Sequence, residues 1–114
     1  MEDEKYKELA LRLEKVGLIE VIEKGKTPDD NKITLTQKFA DKLRDKAISL
    51  YPTFRNNSAD EILAYLTYEI VKDECKASED DLTKMGCMLY QLLKINEESY
   101  RLAIEAINNL KKAQ

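Results

Sequence analysis

A mainly α fold of about five helices, with one β-hairpin between the first and the second, is what this sequence predicts, and three observations predict it. The 114 residues include only three glycines and two prolines, too little punctuation for an all-β chain that turns every few residues. Apolar side chains recur at three-and-four spacing through most of the length, which puts them on one face of successive helices. Serine, threonine and asparagine stand in front of these stripes, where a side-chain oxygen can satisfy the free N–H groups of a first turn. A chain of this length forms one domain, 1–114, that buries roughly two-thirds of its unfolded surface and needs no disulfide or metal to hold it.

The first helix is predicted over 3–16, with Tyr6, Leu9, Leu13 and Val16 on one face and Gly17 placed for a left-handed C-terminal cap. Leu18 to Ile22 is short and β-branched, and after a polar stretch with Gly25, Pro28, Asp29, Asp30 and Asn31 the run Ile33-Thr34-Leu35-Thr36 alternates apolar with polar. Together they predict a hairpin, which needs the helices behind it to be stable. A second helix is expected from about Gln37 to Leu50, capped by Thr36 or Thr34, burying Phe39, Ala40, Leu43, Ala47 and Ile48 and stopped by Pro52. Ser58-Ala59-Asp60-Glu61 is a capping box opening a third helix to about Glu74, with Ile62, Leu63, Leu66 and Ile70 inward. Ser78 opens a fourth, whose acidic start suits the positive end of the helix dipole and whose stripe is Leu82, Met85, Leu89 and Leu92, widened by Met88 and Leu93. Asn96 caps a fifth over Glu97 to Lys112, with Tyr100, Ala103, Ile104, Ile107 and Leu110 on its apolar face. The helices of 58–113 are expected to form a small antiparallel bundle.

The absence of histidine excludes imidazole general bases, the triads built on them, and metal sites that use imidazole. The remaining carboxylates, lysines, tyrosines and two thiols stand in no spacing that carries a reaction, so neither a catalytic residue nor a cofactor is assigned, and a non-enzyme is expected. Asp73, Glu74, Glu79, Asp80 and Asp81 lack the alternating ligands and glycine of a calcium loop and are better explained by helix ends, so no metal is assigned. Cys75 and Cys87 form no CxxC motif and fit a reducing compartment. With no membrane-spanning stretch and an acidic start, a cytoplasmic protein is expected.

Charge divides along the chain. Residues 1–23 carry four basic and seven acidic side chains, 24–55 eight and four, and 56–114 seven and eleven. The basic third comprises Lys24, Lys26, Lys32, Lys38, Lys42, Arg44, Lys46 and Arg55, with Asp41 and Asp45 interspersed. Such a segment reads either as a phosphate-binding face or as a solvated one with weak ion pairs. The Leu82, Met85, Leu89, Leu92 stripe offers a seam for a homodimer, although it is too short for a coiled coil.

Over residues 8–43 the order of elements, a helix ending Leu11-Arg12-Leu13-Glu14-Lys15-Val16-Gly17, a hairpin with a charged loop, and Ile33-Thr34-Leu35-Thr36-Gln37-Lys38-Phe39 opening another helix, resembles winged-helix regulators of the MarR and PadR kinds. The resemblance makes 1–50 a winged-helix-like part. It implies duplex DNA as a partner, Lys24, Lys26 and Lys32 as wing contacts to phosphate, and Lys38, Lys42, Arg44 and Lys46 as an extension of that surface. Leu92 to Ile104 likewise resembles the turn and second helix of a helix-turn-helix, with Ile95, Tyr100 and Ile104 at packing positions. The residues also support an alternative, a protein-interaction or dimerisation module with no nucleic-acid role, because the first helix, which would be the recognition helix, carries Glu2, Asp3, Glu4, Glu8 and Glu14.

Overall fold

The computed structural model describes residues 2–23, 25–26 and 32–113, with side chains from Glu4 onward. Its elements run α1 (Glu2–Lys15), β1 (Ile19–Glu23), β2 (Lys32–Leu35), α2 (Gln37–Phe54), α3 (Ala59–Glu74), α4 (Glu79–Ile95) and α5 (Glu97–Ala113). The predicted class, five helices with one antiparallel hairpin, is the observed one.

Local chemistry sets most boundaries. Gly17 takes φ +82°, and with it α1 ends in paired bonds, Leu18 N–H to Leu13 C=O at 3.0 Å and Gly17 N–H to Glu14 C=O at 3.0 Å. This is a Schellman turn, and its apolar contact joins two residues wholly withdrawn from water, Leu13 and Leu18. Thr36 caps α2 by accepting from Phe39 N–H at 3.3 Å and donates its own hydroxyl hydrogen to Gly17 C=O, so one side chain locks the hairpin exit to the end of α1. Ser58 forms the full capping box with Glu61, Ser78 accepts from Asp81 N–H at 3.2 Å, and Asn96 accepts from Ser99 N–H at 3.2 Å.

One boundary differs from expectation. Pro52 lies inside α2, which continues to Phe54. A proline so near the end of a helix sacrifices a single bond, and the last turn has its own anchors, because Tyr51 is buried and the Phe54 ring packs on Tyr65 with centroids 4.3 Å apart.

In the hairpin Ile19 pairs with Leu35, Glu20 with Thr34, Val21 with Ile33 and Glu23 with Lys32, so a bulge at Ile22 breaks the register. The core is one continuous cluster drawn from α1 (Leu9, Leu13), β1 (Ile19), α2 (Phe39), α3 (Leu63, Leu66, Ile70), α4 (Met85, Leu89, Leu93) and α5 (Ile107). Helices α3 and α4 pack closely because position 86 is glycine: a Cβ there would lie 3.1 Å from Tyr68 Cα. The α4 stripe expected to form a dimer seam is spent within the chain. Leu82, Met85 and Leu89 are buried and Leu92 packs partly against them, since α4 is covered by α1, α3 and α5 at once.

Candidate docking groove

The basic segment expected to meet phosphate is largely neutralised from within. Lys38 Nζ lies 2.6 Å from Glu74 Oε1 and donates to Val16 C=O at 2.6 Å, Lys42 Nζ lies 3.3 Å from the other Glu74 oxygen, and Lys46 pairs with Asp73. One face of α2 thus lies on the acidic end of α3, and Glu74, held between two ammonium groups, keeps its carboxyl below the usual range, chiefly through the Lys38 bond. Arg44 pairs with Asp41 on its own helix at 3.1 Å, and Lys32 with Glu23 across the hairpin at 3.3 Å. Lys26 is exposed just beyond β1. Lys24 lies outside the described residues. The structure therefore brings Lys38, Lys42 and Lys46 together, but against carboxylates, whereas Arg44 and Lys32 are engaged elsewhere.

Four of the five acidic residues considered for a cation are used in the same way. Asp73 and Glu74 hold these lysines, Asp80 pairs with Lys84 at 3.0 Å and Asp81 with Lys5 of α1 at 3.1 Å. Among the described residues no group of three or more His, Cys, Asp or Glu side chains is placed to hold a metal ion, and no helix is long and apolar enough to cross a membrane. Both cysteines are free. Cys75 is buried, and burial pushes its thiol up against the opposing pull of Arg12, the setting of an inert thiol.

A polar junction holds the bundle at the other end. The hydroxyls of Tyr90 on α4 and Tyr100 on α5 both donate to Asp60 Oδ1 in the first turn of α3, each at 2.5 Å. The two bonds, Tyr100 foremost, hold the Asp60 carboxyl below its ordinary value against the opposing effect of burial. Tyr90 is pushed far up, by burial first and then by the Asp60 bond. These tyrosines are structural clamps among three helices. Ile95, which the helix-turn-helix resemblance would bury, is instead 76% exposed, because α4 continues to Ile95 and Asn96 turns the chain so that Tyr100, Ala103 and Ile104 pack inward.

A groove of about 630 Å³ opens between α2 and α5. Phe39, Leu66, Leu93 and Ile107 line it from the core, Ala40, Leu43, Ala47 and Ile48 from α2, and Ser99, Leu102, Ala103, Ala106 and Leu110 from α5. Two residues on its walls stand in water, Ile48 at 60% and Leu102 at 53% exposure. Ile48 and Ala40 belong to the stripe expected to be buried, and both are exposed. On the facing helix the groove is lined by the small side chains of Ser99, Ala103 and Ala106. Periodicity marks Ile48 as core, and only the partner helix's small residues could have hinted otherwise.

Comparison of the chain with protein-family models, curated proteins and solved structures finds no significant match.

Proposed function

We propose that this protein is a cytoplasmic, non-enzymatic protein-interaction module whose docking surface is the groove between α2 and α5. The observation that carries the reading is a mainly apolar channel of about 630 Å³, lined also by Thr36, Gln37 and Arg44, with Ile48 and Leu102 exposed on its walls. Isolated exposed leucines are ordinary, but large aliphatic side chains flanking one apolar channel are the pattern by which an amphipathic helix is received. The free cysteines suit a reducing compartment, and the lack of histidine leaves few groups for acid–base work. The test is a photo-reactive phenylalanine analogue in place of Leu102, irradiated in cells. Discrete polypeptide adducts absent from a control at exposed Glu8 are expected, and adducts no stronger than the control refute the reading.

A second reading, nucleic-acid binding, draws on the hairpin and on exposed Lys26, the wing position implied by the winged-helix resemblance. The ion pairs of Lys38, Lys42 and Lys46 oppose it, because each pair must be broken before that lysine can neutralise a phosphate.

A further inference from the structure

We propose that Asn57 is a site of slow self-modification: the backbone nitrogen of Ser58 attacks its side-chain amide, ammonia leaves, and water opens the resulting succinimide to aspartate and isoaspartate. Asn57 is exposed in the turn between α2 and α3, and three contacts there converge on this reaction. One carboxylate holds both reacting nitrogens, because Glu61 Oε1 accepts from Ser58 N–H at 3.4 Å and Glu61 Oε2 accepts from Asn57 Nδ2 at 3.4 Å. The Asn57 side chain is thereby folded forward toward the nitrogen that attacks it, which supplies the proximity a ring closure needs. From the last helix, Lys111 donates to Asn57 C=O at 2.5 Å.

The charges suit each step. The Ser58 nitrogen becomes nucleophilic only as its proton leaves, and the negative charge of the deprotonated amide gathers on the Asn57 carbonyl oxygen, where the Lys111 ammonium meets it. Glu61 takes that proton as a general base. Its hydrogen bonds, that of the Ser58 hydroxyl foremost, hold its carboxyl below the usual range, so it is ionised at neutral pH. As the bond from Ser58 N to Asn57 Cγ forms and the Cγ–Nδ2 bond breaks, the same carboxyl turns and passes the proton to Nδ2, which departs as ammonia. Hydrolysis of the ring then consumes one water. An acid at position 57 sets a second carboxylate beside Glu61, and isoaspartate adds a methylene to the backbone just ahead of the capping box. Both loosen the first turn of α3, from which Asp60 holds Tyr90 and Tyr100.

Incubation of the full folded chain for weeks at neutral pH, followed by peptide mass mapping, tests this, with labelling by an isoaspartate methyltransferase as a second readout. Asn57 should convert about tenfold faster than Asn96, which is exposed at the turn into α5, and faster in the folded chain than in urea, because unfolding disperses the three groups. Lys111→Met should slow the conversion by about tenfold with unchanged helical circular dichroism, and Glu61→Gln, which keeps the side chain's shape but cannot take the proton, should slow it at least as much. Conversion of Asn57 no faster than that of Asn96, conversion faster in urea than in the folded chain, or a rate indifferent to either variant overturns the proposal.

Discussion

Replacing Asp60 by asparagine isolates the charge of the three-helix clamp while preserving its shape. In the native chain one carboxylate oxygen accepts from Tyr90 and Tyr100. Hydrogen bonds to a charged group contribute about 1.5–3 kcal/mol each and neutral ones about 0.5–1.5, so the amide forfeits roughly 1 kcal/mol per bond. Asp60 also sits in the first turn of α3, where losing a negative charge costs a further ~0.3–1 kcal/mol. Solvent reaches this half-buried site and trims the sum to about 2 kcal/mol. The assay is urea unfolding followed by far-ultraviolet circular dichroism, repeated down the pH scale. Because the folded carboxyl lies below its unfolded value, its contribution is complete above the unfolded value and disappears as pH falls through the folded one. Native and Asp60→Asn chains should therefore differ by about 2 kcal/mol at pH 7 and converge in strong acid. Tyr100→Phe should cost less in the asparagine background than in the native one. A difference below about 0.5 kcal/mol at pH 7, or one that does not change with pH, refutes the assignment.

Two further outcomes follow from the packing and the ion pairs. Gly86→Ala should lower the urea midpoint by the equivalent of about 1–2 kcal/mol, even though alanine is the better helix former by about 1 kcal/mol, since the new methyl meets Tyr68 Cα at 3.1 Å and backbone cannot swing aside; a raised midpoint shows that α3 and α4 separate freely. In a mobility shift with mixed duplex DNA at about 50 mM salt, the native chain should be silent and Asp73→Asn/Glu74→Gln, which releases Lys38, Lys42 and Lys46, should gain weak, salt-sensitive retention. Strong retention of the native chain that falls steeply toward about 200 mM establishes the nucleic-acid reading instead.

What the sequence made legible was local. Gly17, Ser58, Ser78 and Asn96 fix helix ends through partners within three to five residues, so their signals survive in one dimension. Pro52 was misleading because its effect depends on what anchors the turn beyond it, and Tyr65, the ring beneath Phe54, is remote in sequence. The charge asymmetry was real as a count, yet Glu74 lies far along the chain from Lys38 and Lys42, and a segment-by-segment tally cannot see pairs formed between segments. The groove was hidden for the same reason. Ile48 sits correctly on an apolar stripe, yet it is exposed on the wall of a groove whose other side, with Ala103 and Ala106, comes from a helix remote in sequence.

The bulge at Ile22 bears on a different hazard. A two-stranded sheet has two outer edges with unpaired backbone groups, and Ile19-Glu20-Val21-Ile22-Glu23 is β-branched enough to template further strands from other molecules. The irregularity between Val21 and Glu23 interrupts the regular row of donors and acceptors along that edge, and Glu20 adds an exposed carboxylate. Growth of the sheet into a fibril is thereby discouraged at this strand.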